Sequence, residues 1–221
     1  QLFKMGVWSG IDYFSSKMDQ RTKWACIGDD LGQYNLFCND EKIDQMQLQL
    51  LGKHNMMNLT ASIAVLSNFE LKPKDLIAGA KKFTGVKRRL EYLGQFSKID
   101  LFDDFAHHPT SIKASIAAVK STLDSSSLYA VVELASNTMK KGSLKSELKK
   151  SFVDVDYAWI LNSGNIQWDI REEFAEIENV AILKTLVDLP DQVQSKIKPG
   201  DSLIIMTNSD SMRIRNVLKK K

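Results

Sequence analysis

The stretch LYAVVEL, residues 128–134, decides the fold. It is apolar at every position except Glu133, and such a run is typical of a strand that is buried on both faces of a parallel sheet. Three further runs share this character: YAWIL (157–161), VAIL (180–183) and SLIIM (202–206). Helical patterns lie between and after them, at 143–152, 169–176, 188–197 and 211–220. Strands that alternate with helices predict an α/β domain whose sheet is mostly parallel and flanked by helices.

The pattern extends upstream to the runs LEYLGQF (90–96) and KIDLFDDF (98–105), which predict a hairpin that turns near Lys98. A helix is expected after this hairpin, over about 109–123, since its apolar residues recur at helical spacing. The charged segment GVKRRLE at 85–91 precedes the hairpin and is the candidate domain boundary.

The N-terminal part of the chain has a different sequence pattern. Short runs rich in aromatic and β-branched residues predict antiparallel hairpins, at 7–15, 22–28, 33–38 and 43–51. A helical spacing of apolar residues follows at 55–68. A second helix is expected to begin around Lys72–Asp75, where Pro73 suits the first turn, and to end before Gly85.

Composition limits the function classes. The 221 residues carry a formal net charge of only +3, which argues against a protein that mainly coats nucleic acid. Two cysteines without a CxxC pattern favour a reduced, cytoplasmic protein over a disulfide scaffold. No apolar run approaches the ~20 residues that a membrane-spanning helix needs. The first residue is Gln1, with no methionine before it, so we expect a piece of a longer polypeptide.

The segment LFDDFAHHPT, at 101–110, places two acids and two histidines between a predicted strand and a predicted helix. Ligands of open parallel sheets bind beyond the carboxyl ends of strands, and a carboxylate there can accept hydrogen bonds from ribose hydroxyls. One acid could instead cap the backbone while His107 packs at the start of the helix. A zinc site is disfavoured, because His107 and His108 are adjacent and point apart, and no third ligand stands at a familiar spacing.

Two other segments carry candidate binding residues. Asn55 and Asn58, in GKHNMMN (52–58), lie three apart at a helix start and share one face, where two amides match the edge of an adenine ring. Helix capping would explain one of the two asparagines. Lys87, Arg88 and Arg89 form a basic run that could reach a phosphate or simply face solvent.

The segments GKHNMMNLTASIAV, GVKRRLE and DDFAHHPT, in this order, resemble the Mur ligase family, and SNTMK (136–140) and NIQWD (165–169) are similar to its peptidoglycan-recycling branch. The resemblance implies that residues 1–92 are the C-terminal part of a central ATP-binding α/β domain. It also implies that residues 93–221 are a Rossmann-like C-terminal domain.

The resemblance implies an activity as well. Members of this branch use ATP and Mg²⁺ to join UDP-N-acetylmuramate to the murein tripeptide L-alanyl-γ-D-glutamyl-meso-diaminopimelate through an acyl phosphate. The protein would then be a cytoplasmic, monomeric bacterial enzyme that serves cell-wall biogenesis, cell shape and cell division, with neither nucleic acid nor membrane as a partner. A phosphate loop is absent, since Gly52 and Lys53 are followed by His54, so the chain alone is expected to be inactive and most magnesium ligands are expected upstream.

The implied site residues follow from the matched motifs. Asn55 and Asn58 would contact adenine, with His54 beside them. Arg89 would contact ATP, and Asp104 would bind ribose hydroxyls or orient the nucleotide. His107 and His108 are counted with Arg89 and Asp104 as candidate catalytic residues, and the tripeptide would bind at three residues of the SNTMK segment: Ser136, Asn137 and Thr138. None of these residues is expected to bind a metal.

Two departures from the family pattern bear on the amine substrate. Leu134 and Ala135 stand where a Pro-Arg pair precedes SNTMK in the recycling branch, which removes a charge that could hold a peptide carboxylate. The segment MTNSDSMRIR (206–215) has no glycine where a Gly-rich turn is expected. Two alternatives therefore stay open: a related ligase with another amine, either a biosynthetic Mur ligase or a folylpolyglutamate synthase-like enzyme, and a non-enzymatic nucleic-acid-binding module.

Overall fold

The computed structural model describes residues 6, 9–29, 32–48, 51–162 and 164–219. The chain divides into two compact units, Gln1–Thr84 and Gly85–Lys221, and each is described by itself. The predicted boundary, between residues 92 and 93, falls inside a strand of the second unit, Glu91–Phe96. The assignment of the two units to a central and a C-terminal domain stays a prediction.

The first unit contains a four-stranded sheet in the order β1-β2-β3-β4. Its strands are β1 (Tyr13–Ser15), β2 (Thr22–Gly28), β3 (Gln33–Cys38) and β4 (Glu41–Gln47). The predicted hairpins are confirmed for β2, β3 and β4, which pair antiparallel. The expectation was wrong for β1, which runs parallel to β2. Residues 7, 8, 49 and 50 of the predicted runs lie outside the described residues.

Two helices accompany this sheet, α1 (Lys53–Leu66) and α2 (Pro73–Lys82). Pro73 occupies the first turn of α2 as predicted. The helix α1 begins two residues earlier than expected, because Gly52, with φ 86°, supplies the backbone turn that precedes it. Apolar side chains of β2, β3, β4, α1 and α2 form one core, which includes Trp24, Cys26, Tyr34, Leu36, Met46, Met56, Ile63 and Ile77.

The second unit contains a six-stranded sheet in the order β5-β6-β10-β7-β8-β9. Its strands are β5 (Glu91–Phe96), β6 (Ile99–Asp104), β7 (Leu128–Glu133), β8 (Tyr157–Leu161), β9 (Val180–Leu183) and β10 (Ser202–Met206). The strand β5 pairs antiparallel with β6, and every other pair is parallel. Ser97 and Lys98, with φ 52° and 66°, form the predicted turn between β5 and β6. The mostly parallel α/β sheet is therefore confirmed.

Six helices surround this sheet: α3 (Pro109–Lys120), α4 (Asn137–Lys141), α5 (Lys145–Lys149), α6 (Ile170–Glu173), α7 (Leu189–Lys196) and α8 (Ser211–Lys219). The helix expected at 143–152 is shorter, since α5 passes into a 3₁₀ turn at Lys150–Phe152. The helix expected at 169–176 is reduced to α6. No helix within the described ranges is long and apolar enough to cross a membrane.

Both faces of the second sheet are covered. One face packs with α7 and α8 in a core that includes Val131, Trp159, Leu203, Ile205 and Ile214. Every residue of β10 is buried, as expected for a strand with a layer on each side. The carboxyl ends of the parallel strands therefore form an edge with fixed positions, from which functional side chains can project.

Candidate functional site

Three neighbouring strands of the second unit, β6, β10 and β7, run parallel and end at the same edge of the sheet. Asp104, Met206 and Val132 lie side by side in register there. The loops that follow these strands therefore meet, although the sequence separates them by as much as a hundred residues. This edge carries the candidate site of the second unit.

Asp104 fastens two pieces of backbone at this edge. Its Oδ2 accepts a hydrogen bond of 2.7 Å from the N–H of Leu90, and its Oδ1 accepts one of 2.6 Å from the N–H of Ala106. Leu90 belongs to the linker, residues 85–90, and Ala106 to the turn before α3. The carboxylate thus holds the linker against the strand end. This contact is the one described by the alternative prediction, that one of the two acids caps the backbone. Nucleotide binding by Asp104 stays a prediction.

Arg89 lies in the same linker and is exposed. Its guanidinium carbon stands 5.6 Å from the centre of the Phe105 ring, and that of Arg88 stands 5.1 Å from the same ring. A cation over an aromatic face within about 6 Å is attracted to it. Phe105 is therefore a platform for both arginines, and the structure brings Arg89 to the end of β6 beside Asp104.

The two predicted histidines differ in environment. His107 Nδ1 lies 2.9 Å from the carbonyl oxygen of Phe105. Because a carbonyl only accepts, Nδ1 is the donor in this contact, and Nε2 is the ring nitrogen that the contact leaves available. His108 is exposed and directly precedes α3, where its backbone N–H donates to Ser111 Oγ at 3.2 Å. Catalytic roles for both histidines stay predictions.

The predicted peptide-binding residues follow β7 directly. Ser136 precedes α4, and its Oγ accepts a hydrogen bond of 3.4 Å from the N–H of Met139. Asn137 and Thr138 form the first turn of α4 and are exposed. Their loop therefore begins at the same sheet edge as Asp104 does, two strands away.

The predicted adenine-binding residues belong to the first unit. His54 and Asn55 are partly buried and Asn58 is exposed, all within the first turns of α1. The amide nitrogen of Asn55 donates to the carbonyl oxygen of Leu51 at 2.9 Å, which orients that side chain. Neither asparagine caps the helix, because the capping position is held by Gly52. Adenine binding at this turn stays a prediction.

Sequence reasoning gave no role to a group of charges around Asp103. This carboxylate is fully buried, and its Oδ2 accepts a hydrogen bond of 2.6 Å from Ser211 Oγ. Arg88 Nε lies 3.8 Å from Oδ1 and Arg215 Nη1 lies 3.7 Å from Oδ2. Little in the sequence indicated these contacts, because Ser211 and Arg215 lie more than a hundred residues from Asp103 along the chain.

A second group of missed residues lines a cleft of about 610 Å³. Glu133, buried at the end of β7, accepts a hydrogen bond of 2.6 Å from Thr207 Oγ1 and forms an ion pair with Arg213 Nη2. The other lining residues are Ala135, Lys140, Asn208, Ser209 and Asp210. The two departures noted in the sequence, at Ala135 and in the glycine-free turn after β10, therefore lie in one cleft.

Across the described ranges, no group of three or more His, Cys, Asp or Glu side chains is placed to hold a metal ion. The charged groups of the edge pair with one another instead: Asp103 faces two arginines and Glu133 pairs with Arg213. Ion pairs therefore lie at the ends of both β6 and β7 at this edge.

Comparisons with known proteins identify a family for this chain. Residues 88–208 match the model of the family described as Mur ligase, glutamate ligase domain. The chain is 31% identical, over 94% of its length and 46% of the relative's, to the UDP-N-acetylmuramate–L-alanyl-gamma-D-glutamyl-meso-2,6-diaminoheptandioate ligase of Escherichia coli. It is also 39% identical, over 40% of its length and 19% of the relative's, to the UDP-N-acetylmuramate–L-alanine ligase of Clostridium botulinum.

A solved structure matches almost the whole chain. The murein peptide ligase of Psychrobacter arcticus superimposes with a TM-score of 0.72 at 29% identity, covering 99% of this chain and 48% of that one. The chain thus spans about half the length of the murein peptide ligases it matches. The family model begins within the linker, at residue 88, and ends at residue 208, just after β10.

Proposed function

Because the chain belongs to the Mur ligase family, we propose that it is part of an ATP-dependent ligase that joins UDP-N-acetylmuramate to the tripeptide L-alanyl-γ-D-glutamyl-meso-diaminopimelate. One observation carries the choice of substrate: a relative named for this reaction matches 94% of the chain. The arrangement of the second unit supports it, since loops rich in charged and polar side chains meet at the carboxyl edge of a parallel sheet.

The proposed reaction has two steps. The muramate carboxylate attacks the γ-phosphorus of ATP, so that an acyl phosphate forms and ADP leaves. The free amine of the tripeptide then attacks the acyl carbon, the amide bond forms, and inorganic phosphate departs. Catalysis of such transfers rests on positioning and on neutralising charge. Magnesium accompanies ATP in this proposal, and most of its ligands are expected upstream of this chain, so no step is assigned to the metal.

We assign the nucleotide-binding roles as the motifs suggest. In the first unit these fall to His54, Asn55 and Asn58, and in the second to Arg89 and Asp104. The exposed guanidinium of Arg89, placed over Phe105, supports a role with phosphate, which arginine binds through its planar fork. His107, whose Nδ1 contacts the carbonyl oxygen of Phe105, and its neighbour His108 complete the candidate catalytic group at the same edge.

The cleft between α4 and the turn after β10 is the proposed site of the amine substrate. Lys140 and Arg213 supply positive charge there, and Glu133 and Asp210 supply negative charge. A peptide that carries both an amine and carboxylates complements such a mixed lining. The exposed side chains of Asn137 and Thr138 follow the same strand.

The experiment offers the complete ligase that contains this chain ATP, UDP-N-acetylmuramate and either the tripeptide or free L-alanine. We expect ADP, phosphate and the amide product to appear with the tripeptide, at a kcat/KM at least about a hundredfold above that for L-alanine, or about 2.7 kcal/mol of discrimination. Omission of ATP is the control. Consumption of L-alanine with the tripeptide ignored would overturn the choice of substrate.

A second candidate rests on a specific match. The L-alanine ligase of Clostridium botulinum is 39% identical to this chain over 89 residues, whereas the tripeptide relative is 31% identical over 210 residues. A biosynthetic ligase that adds L-alanine to the same nucleotide sugar is therefore the alternative function. The amine competition above separates the two directly.

A further inference from the structure

The proposed function assigns no role to Asp103, although the complete burial of this carboxylate is unusual. Its side chain has 0% exposure, and an ionised carboxylate is costly to bury unless its environment compensates the charge. Compensation comes from three directions. Ser211 Oγ donates to Oδ2 at 2.6 Å, and the guanidinium groups of Arg88 and Arg215 lie 3.8 and 3.7 Å from its oxygens.

Arg88 connects this buried charge to the linker. Its Nη2 donates to the carbonyl oxygen of Thr207 at 2.6 Å, and its own carbonyl accepts from the N–H of Phe105 at 2.8 Å. The side chain thus runs from the linker to the ends of both β10 and β6. Its Nε faces Asp103 at a distance that permits charge attraction but no hydrogen bond.

The backbone on each side of Arg89 needs such support. Arg88 and Leu90 have φ of 59° and 51°, a left-handed conformation that costs non-glycine residues on the order of 1 kcal/mol each. Leu90 is held by its hydrogen bond to Asp104, and Arg88 by the contacts that surround Asp103. Arg89 is the single residue between these two anchored positions.

We propose that Asp103 is a positioning residue: its buried charge anchors Arg88 and thereby fixes the backbone that presents Arg89 at the end of β6. The contribution of Arg89 to the reaction rests on the proposed function, whereas the anchoring itself does not. Adjacent residues of a strand point to opposite faces, so Asp103 and Asp104 hold the linker from the two sides of the sheet.

The anchoring is tested on the 221-residue chain by amide hydrogen exchange, without any substrate. The reporters are the N–H of Phe105, bonded to Arg88, and the N–H of Leu90, bonded to Asp104. Asp103→Asn keeps the shape and removes the charge. We expect both amides to exchange at least about tenfold faster, beyond any change in global stability, since a charged interaction of this kind is worth about that factor.

The matched control is Asp201→Asn. Asp201 is also buried, at the opposite end of β10, and its oxygens accept from the N–H groups of Ser127 and Lys198 at 3.0 and 2.8 Å. We expect no selective change at the two reporters. Unchanged exchange in Asp103→Asn, or equal acceleration in the control, overturns the proposal. If Asp103→Asn fails to fold, Arg88→Gln, which alters a partly exposed side chain, decides by the same readout.

Kinetics of the complete ligase add a separate arm. Asp103→Asn should lower kcat/KM for ATP about tenfold, and combining it with Arg89→Ala should lower it no further than Arg89→Ala alone, because the two changes act on one interaction. Independent, additive losses would contradict positioning through Arg89. A wild-type enzyme without ligase activity would refute the proposed function instead, while the exchange experiment still decides whether Asp103 anchors the linker.

Discussion

At the scale of single residues, each buried carboxylate at the carboxyl edge of the second sheet has hydrogen-bond donors or cations beside it. Asp103, Asp104 and Glu133 are all buried carboxylates, and each is met by donors or cations: backbone N–H groups for Asp104, arginines and a hydroxyl for the others. A buried acid left without such partners would cost several kcal/mol. These contacts hold the strand ends and the loops that follow them in a fixed geometry.

Asp104→Ala should fold but with reduced stability, because the N–H groups of Leu90 and Ala106 lose their acceptor. We expect the free energy of unfolding to fall by about 2–4 kcal/mol, measured by urea denaturation. Asp154→Ala, at an exposed position of the same unit, is the control and should change it by less than about 0.5 kcal/mol. Equal free energies of unfolding for the two variants would show that the hydrogen bonds to Asp104 do not stabilise the fold.

The two cysteines should differ in reactivity. Burial raises the pKa of the Cys26 thiol to about 11, and the side chain has no exposed surface. At pH 8 only about one thiol in a thousand would then be ionised, and the thiolate is the reactive form. Cys38 is partly exposed, and burial also raises the pKa of its thiol.

The measurement is the rate of alkylation of each cysteine by iodoacetamide at pH 8, read by mass spectrometry. We expect Cys38 to react at least about tenfold faster than Cys26 in the folded chain, and the difference to vanish in urea. Faster reaction of Cys26 in the folded chain would contradict its placement in the core.

At the scale of elements, short runs rich in apolar, β-branched and aromatic residues predicted the strands of both sheets. Burial differs between these strands: β10 is buried throughout, whereas β1 and β4 are mostly exposed. The parallel direction of β1 was missed, since composition does not report which way a short strand enters a sheet. The helix α4 was missed because five residues, Asn137–Lys141, are too few to show helical periodicity.

The site was predicted unevenly for a related reason. Strand ends and linkers are visible as local patterns, and for this reason Asp104 and the basic run that contains Arg89 became candidates. The partners of Asp103 were not, because Arg88 and Ser211 reach it from separate elements. Only the order of strands, which places β10 beside β6, brings those residues together.

Gly142 should be needed to end α4. It has φ +76°, and an added Cβ would lie 2.6 Å from Cδ1 of Trp168. Gly142→Ala should lower the free energy of unfolding by about 2 kcal/mol or more, from backbone strain and overpacking together.

Gly200→Ala is the matched control, because its φ is +97° with nothing within 4 Å of an added Cβ. Its cost, by urea denaturation, should be about 1 kcal/mol. Equal costs would mean that Trp168 does not pack as described.

At the scale of the whole molecule, the chain consists of two units with separate cores, and it spans about half the length of the relatives it matches. Family membership is shown by the match over residues 88–208. Activity is a property of a complete ligase, so the contributions of this chain have to be tested both alone and in that setting.

The isolated 221-residue chain should make no product from ATP, UDP-N-acetylmuramate and tripeptide, since no phosphate-loop sequence occurs in it. Any ATP binding should be weak, with a Kd on the order of 1 mM, as measured by calorimetry. Turnover by the isolated chain would contradict this expectation and would place the phosphate-binding function within the chain itself.

Arg89 is the residue on which the proposed nucleotide site depends most, and one kinetic comparison in the complete ligase tests its role. Arg89→Ala is compared with Lys87→Ala, which removes an exposed cation two residues away on the same linker. We predict that Arg89→Ala lowers kcat/KM for ATP by about a hundredfold or more, while Lys87→Ala stays within about twofold of the wild type. If the two variants behave alike, whether both active or both impaired, the nucleotide site proposed at the end of β6 is wrong.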